Sequence, residues 1–308
     1  MTDVSNAPAL SGVFPVLPTP FDATGQPDQA GLQTLVRYLL RAGVDGITYP
    51  GVASEVGELG FGERVALTRL VLAEVAGRVP VIVGASAADA ATTLRLVGEL
   101  GGSGISALMV AAPAKVAAAD QTGFFQQIAA GSGGLPVMLQ NVPAPAGAGL
   151  APELVLQIAK AVPQVHYIKE ETLPSGQRLS LVLAAAPTSL RGVFGGAGGR
   201  YITDELRRGA CGTMPAIELA EVHVALFAAQ RRGDAQAVRI LFTRILPILN
   251  IQAVFRWSLT KYVLQRRGLI ASRHQRAAGP LLDAQDIADV DAFLGDIRDL
   301  LLPDSELA

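Results

Sequence analysis

Lysine is scarce in this chain. Four are present, Lys115, Lys160, Lys169 and Lys261, and only Lys169 directly ends an apolar, β-type run, Val165-His166-Tyr167-Ile168. An amine at the end of a buried strand is partly desolvated, which favours its neutral form. A neutral amine can attack a ketone to form a Schiff base. Lys169 is therefore a candidate nucleophile; the alternative is a structural ion pair with Glu170 or Glu171. Lys160 and Lys261 fall in helical patterns and read as solvated face residues, while Lys115 reads as a loop residue.

Other chemistry-bearing side chains also follow apolar runs. Ala53-Ser54-Glu55 could receive a carboxylate through the Ser54 hydroxyl and neighbouring backbone N–H groups, since helix starts favour anions. Equally, Ser54 could be an ordinary N-cap and Glu55 a cap on backbone amides. Gln140 could bond a substrate hydroxyl or position a water, or be a satisfied polar strand end. Glu171 is a candidate acid/base, or a surface ion-pair partner. Thr19 could handle protons or bond backbone at a strand end. The Gly195-Gly196-Ala197-Gly198-Gly199 run permits close backbone approach. It reads as a roomy loop for a ligand chain rather than a phosphate cradle, because only Arg200, at its edge, is basic. Cys211 reads as a small core residue, and Phe255, Trp257 and Tyr262 as packing or subunit-contact residues.

The elements that must hold these residues are eight short apolar runs, at 13–17, 46–49, 79–83, 107–111, 137–139, 165–168, 192–194 and 212–214. Helical patterns alternate with them, for example at 31–42, 63–76, 88–100, 152–161 and 203–208. Strands apolar on both faces and separated by helices describe a parallel sheet, and eight is the number that closes into a barrel. The fold class expected is therefore α/β, a (β/α)8 TIM barrel over residues 1–230. A three-helix C-terminal appendage follows over 231–308, with helices at 234–249, 253–267 and 286–302. In such a barrel the site forms where the strands' carboxyl ends meet, and every candidate above sits there. A dinucleotide fold is the rival, but no Gly-x-Gly-x-x-Gly follows the first run.

Composition narrows the functional classes. With 25 basic and 27 acidic residues, a formal charge of −2 and no basic block, a nucleic-acid surface is not expected. A single cysteine leaves no internal disulfide or multi-cysteine zinc site. Mean hydropathy is +0.37, yet the longest uncharged stretch, 121–152, is broken by glycines and prolines and cannot span a bilayer. The first twelve residues lack a basic segment ahead of an apolar run, so no secretory signal is expected. The expectation is a soluble, cytoplasmic protein.

Three segments carry a family likeness: Gly12-Val13-Phe14-Pro15-Val16-Leu17-Pro18-Thr19-Pro20-Phe21, Ile168-Lys169-Glu170, and Gly209-Ala210-Cys211-Gly212-Thr213-Met214-Pro215. The chain resembles the dihydrodipicolinate synthase / N-acetylneuraminate lyase family over nearly its whole length. The resemblance implies a barrel, a homo-tetramer, and an imine between Lys169 and a 2-keto acid. Departures are informative. Gly51-Val52-Ala53-Ser54-Glu55 replaces Gly-Thr-Thr-Gly-Glu, Ala114-Lys115 replaces an aromatic pair, and Pro145 stands where synthases place an arginine. Gln140 replaces the proton-relaying tyrosine, and an amide cannot ionise. Ser54-Glu55, Gln140 and Lys169-x-Glu171-Thr172 resemble instead the branch that dehydrates 2-keto-3-deoxy sugar acids such as 2-keto-3-deoxyarabonate. The resemblance thus implies a lyase, with water loss from C4 of an imine as the leading reaction and pyruvate release by an aldolase as its rival. From another class, a non-catalytic sugar-acid-binding barrel remains an alternative. No metal or organic cofactor is expected, because a protonated imine is itself the electrophile and the three histidines lack ligand-like spacing.

Overall fold

The computed structural model describes residues 9–101 and 104–306. The start of the chain, where the signal-peptide question arose, lies largely outside them. Eight parallel strands follow one another: β1 (Gly12–Val13), β2 (Ile47–Thr48), β3 (Val81–Gly84), β4 (Ala107–Ala111), β5 (Val137–Asn141), β6 (Val165–Glu170), β7 (Gly192–Gly195) and β8 (Gly212–Thr213). Between them run α1 (Gln29–Arg41), α2 (Phe61–Val75), α3 (Ala90–Leu100), α4 (Gln121–Gly131), α5 (Pro152–Ala161), α6 (Ser175–Ala184) and α7 (Ile202–Arg207). Then come α8 (Ala220–Arg231), α9 (Ala235–Phe255), α10 (Trp257–Arg266) and α11 (Ala284–Asp296).

The strand order is β1-β8-β7-β6-β5-β4-β3-β2, all parallel. The sheet curls until its ends meet, where a Val16–Thr48 bridge forms and the Leu17 N–H donates to the Thr48 carbonyl at 3.0 Å. Period-2 alternation then divides the apolar residues into two shells. Phe14, Ile82, Met109, Met138, Tyr167, Phe194 and Met214 pack together on the inner face, with Phe14 and Phe194 edge to face at 5.4 Å. Val83, Leu108, Leu139, Ile168 and Val193 point the other way, into the layer shared with the helices. Because Lys169 lies two residues beyond Tyr167, and Gln140 two beyond Met138, both inherit the inner face.

Element starts have local causes. Asp28, Asp89 and Asp234 each accept a backbone N–H from the first turn of α1, α3 and α9, satisfying donors that a helix cannot satisfy itself. The structure corrects several boundaries. The first regular strand is shorter than 13–17, because Pro15 has no N–H to give the ladder, which resumes only as bridges at Val16. The uncharged 121–152 stretch holds α4 and β5. In the C-terminal region α9 continues past 249 to Phe255, and α10 starts only at Trp257. By length and composition α9 is the one described helix apolar enough to cross a membrane, although it carries Arg239 and Arg244 and packs against α8, α10 and α11.

Candidate active site

Lys169 is the fifth residue of β6 and pairs in register with Gln140 of β5 and Phe194 of β7. It is 4% exposed. Its Nζ lies 3.3 Å from Glu171 Oε1, the first residue after the strand. That carboxylate is held on three sides. The Gln140 amide donates to Oε2 at 2.7 Å, and the Ala197 N–H, just beyond β7, donates to Oε1 at 3.0 Å. Burial alone would raise the Glu171 pKa; the Lys169 ammonium, the Ala197 N–H and the Gln140 amide outweigh it and hold the carboxyl below its ordinary range. Lys169, Glu171 and Gln140 therefore form one connected group, in which the Glu171 carboxylate is placed to exchange a proton with the amine.

The glycines at the end of β7 make room for carboxylates. A Cβ on Gly196 would stand 2.5 Å from Glu171 Oε1, and one on Gly195 would stand 1.8 Å from Glu205 Oε2. The space the sequence offered to a ligand chain is thus occupied at Gly195 and Gly196 by the protein's own acids. Glu170, on the outer face, accepts both from Asn141 Nδ2 and from the Thr172 N–H at 2.9 Å, and lies 3.3 Å from Arg178. Thr172 stays with this outer group rather than reaching the cavity wall.

Two lobes open at the carboxyl ends of the strands. The polar one, about 90 Å³, is walled by Lys169, Glu171, Ala53, Arg200, Gln252 and Arg256. The other, about 260 Å³, is mainly apolar, walled by Pro50, Val56, Met109, Ala111 and Ala146, with Gln140 and Ser86 its neutral polar side chains. Val52 and Trp257 line both. Trp257, read from sequence as a packing residue, is therefore a cavity wall; its indole N–H donates to the Val52 carbonyl at 2.9 Å. Only its position next to the α9–α10 joint, where no regular period applies, could have suggested this.

The turn after β2 supports the lobes from behind. The Ser54 hydroxyl accepts from the Gly51 N–H at 2.8 Å and donates to the Leu17 carbonyl. Its single proton is thereby committed to backbone. Thr19 donates to the Ser54 carbonyl at 2.8 Å and lies 3.0 Å from the Tyr49 hydroxyl, both groups buried. Glu55 adopts a left-handed conformation (φ 56°). It accepts the Arg276 and Ala277 N–H groups at 2.6 Å each and pairs with Lys261. Lys261 is not a solvated face residue: its side chain is fully buried, with Nζ also donating to the His274 carbonyl at 2.7 Å. A helical pattern alone does not reveal that an apolar-flanked lysine faces a carboxylate over two hundred positions away. Lys160 is exposed, as its pattern suggested. Among the described residues no three His, Cys, Asp or Glu side chains gather to hold a metal. Cys211 is half-buried, its thiol pushed up to about 12 by burial.

Known proteins place this geometry. The sequence profile of the Dihydrodipicolinate synthetase family matches residues 9–289. The L-2-keto-3-deoxyarabonate dehydratase of Azospirillum brasilense is 30% identical, covering 97% of this chain and 98% of its own. The probable 2-dehydro-3-deoxy-D-pentonate aldolase YjhH of Escherichia coli K12 is 28% identical, covering 91% of this chain and 94% of its own. The crystal structure of E. coli K12 YagE in complex with pyruvate superposes with a TM-score of 0.85 at 28% identity, covering 94% of this chain and 98% of that one. The chain belongs to the dihydrodipicolinate synthetase family and is an enzyme, a lyase of its Schiff-base class.

Proposed function

We propose that this lyase dehydrates a 2-keto-3-deoxy sugar acid through an imine on Lys169, and that no metal or organic cofactor takes part. The observation that carries the reading is the 3.3 Å approach of a buried lysine to a carboxylate held ionised by that lysine, the Ala197 N–H and the Gln140 amide. Glu171 takes a proton from the Lys169 ammonium; the freed amine adds to the C2 ketone, and the same proton passes to the carbinolamine hydroxyl, which leaves as water to give a protonated imine and restore the Glu171 carboxylate. That cation withdraws electrons from C3; Glu171 removes a C3 proton, and the electron pair forms an enamine. The enamine expels the C4 hydroxyl, which leaves as water after taking a proton. Hydrolysis then returns the lysine and releases an unsaturated 2-keto acid. Gln140 cannot carry protons itself, so its part is to orient Glu171 and meet a substrate oxygen. Ala53 keeps the wall beside the imine small, leaving the backbone of the 52–54 turn open to the substrate's first carboxylate. Thr19, Ser54 and Glu55 position that turn, and Gly195 and Gly196 admit the carboxylates of Glu205 and Glu171. Thr172 acts through Glu170 and the β5 end.

The architecture we assign is a closed (β/α)8 barrel over 1–230, with α9, α10 and α11 as a C-terminal helical region over 231–308. We assign the cytoplasm as its location and a homo-tetramer as its assembly. The exposed Leu173, just ahead of α6, and Leu181, within it, support burial against another copy. Reductive trapping tests the chemistry. With pyruvate and borohydride, an adduct should form at Lys169 and disappear in Lys169→Ala; an adduct mapped to another residue would overturn the reading. A second reading, cleavage between C3 and C4 with release of pyruvate, is supported by the likeness to an E. coli pentonate aldolase. Pyruvate among the products of a 2-keto-3-deoxy acid would decide for it, because elimination conserves the carbon chain.

A further inference from the structure

The polar lobe carries more positive charge than this chemistry uses. Lys169 is matched by Glu171, but Arg200 and Arg256 line the same small space. Among the described residues neither has a carboxylate within ion-pair distance. Arg200 instead donates from Nη1 to the neutral amide oxygen of Gln252 at 2.6 Å, and Gln252 is itself a wall of the lobe. The acid that Arg200 does influence is Glu218. Burial pushes its carboxyl up to about 7, the Thr260 hydroxyl bonds it, and Arg200 draws it only part of the way back.

Arg256 is held differently. It forms the joint between α9 and α10 at φ 41° and ψ −106°, in the left-handed half of backbone space that a non-glycine residue rarely enters. Such backbone conformations persist where surrounding structure over-determines them, often at binding sites. Here the guanidinium is poised over the Trp257 ring, 5.3 Å from its centroid, and Trp257 in turn is fixed to Val52. A planar guanidinium offers a fork of donors matched to carboxylate or phosphate oxygens; Arg200 brings its fork from a half-buried position and Arg256 from an exposed one.

We propose that Arg200 and Arg256 form an anion subsite facing Lys169, so that the 2-keto acid taken here carries a second anionic group, carboxylate or phosphate, at the end remote from its ketone. This rests on the Lys169 imine reading and deepens it. The first carboxylate stays beside the reacting carbon, next to the turn after β2; the second meets the arginines across the lobe. A substrate of this kind enters with two negative charges and neutralises the surplus of the lobe, whereas a polyol tail leaves both guanidiniums without an anionic partner.

The test uses cyanoborohydride trapping on wild type, Arg200→Gln, Arg256→Gln and the double variant, followed by intact-mass measurement. The probes are pyruvate, 2-ketovalerate, 2-ketoglutarate and 2-keto-3-deoxy-6-phosphogluconate. Wild type should reach half-maximal labelling at about tenfold lower concentration with 2-ketoglutarate or the phosphate ester than with 2-ketovalerate, the size expected of a charge-assisted contact. The double variant should lose that preference. Preference for 2-ketoglutarate alone identifies a carboxylate site, and for the ester alone a phosphate site. Labelling of Lys169 by pyruvate without any anion preference in the wild type, or a preference unchanged in the double variant, overturns the subsite and leaves the imine reading standing. Failure of every 2-keto acid to label Lys169 removes both. Circular dichroism of each variant separates loss of preference from loss of fold.

Discussion

In the proposed mechanism Glu171 is the residue on which proton transfer turns. Its two oxygens contact an ammonium, an amide and a backbone N–H, so it stays a carboxylate to lower pH than an ordinary glutamate. The base form is present above that depressed pKa and is lost as pH falls through it. The acid limb of kcat/KM, which reports the free enzyme, should therefore begin below the usual carboxylate range, provided the enzyme stays folded there. Glu171→Gln should lower kcat by ~10²- to 10⁴-fold, the usual worth of a positioned acid or base, and remove that limb; a pH profile of both proteins checks it. Lys169 and Glu171 were each readable as candidates from their place at a strand end, but the sequence left open whether Glu170 or Glu171 meets the lysine; the structure turns Glu170 outward to Arg178. The role of Ser54 was not readable, since nothing in sequence tells whether a hydroxyl spends its proton on substrate or on the carbonyl of Leu17. Arg256 was invisible as a cavity residue, because the α9–α10 joint breaks the helical period that sequence patterns follow.

The turn after β2 and the helix α10 behave as one unit, tied by Glu55 and Lys261. Burial pulls the Lys261 pKa down, and the Glu55 carboxylate pushes it back up. Removing one member of a buried pair leaves the other charge without compensation, at a cost of ~3–5 kcal/mol. Lys261→Met should cost about that much in urea unfolding, and adding Glu55→Gln should recover part of it. Glycine has a comparable role at the end of β7. Gly196→Ala should displace Glu171, because the new methyl would overlap its carboxylate. The expected result is a fall in kcat greater than the fall in thermal stability, and equal losses in both would argue against it. Alternation and helix order were legible because they depend on local periods. The Glu55–Lys261 tie depends on contacts between distant segments, and a lysine that meets one carries no local mark of it.

At the scale of the molecule, two buried acids shape stability. Burial raises Glu205 to about 7, against one hydrogen bond from Ser175 and with Glu171 adding repulsion, while its Oε2 has no partner. The folded chain thus holds a proton that the unfolded chain releases above about 4.5. The associated stability is complete below that value and is lost as pH rises through about 7, on the order of 3 kcal/mol. Glu205→Gln should flatten the decline between pH 5 and pH 8 measured by chemical denaturation, with Glu218 supplying what remains. The eightfold plan was legible because each strand and helix repeats a local pattern, whereas the meeting of the first and last segments around the cavity was not. That meeting has an evolutionary consequence. Trp257, Arg256 and Gln252 reach the cavity from the segment that follows the last strand, so the tail is a face of the cavity that can be exchanged as long as a lysine is kept opposite Glu55. Recombination that replaced only this tail could retune which molecules enter while the amine, its acid and the glutamine beside them stayed untouched.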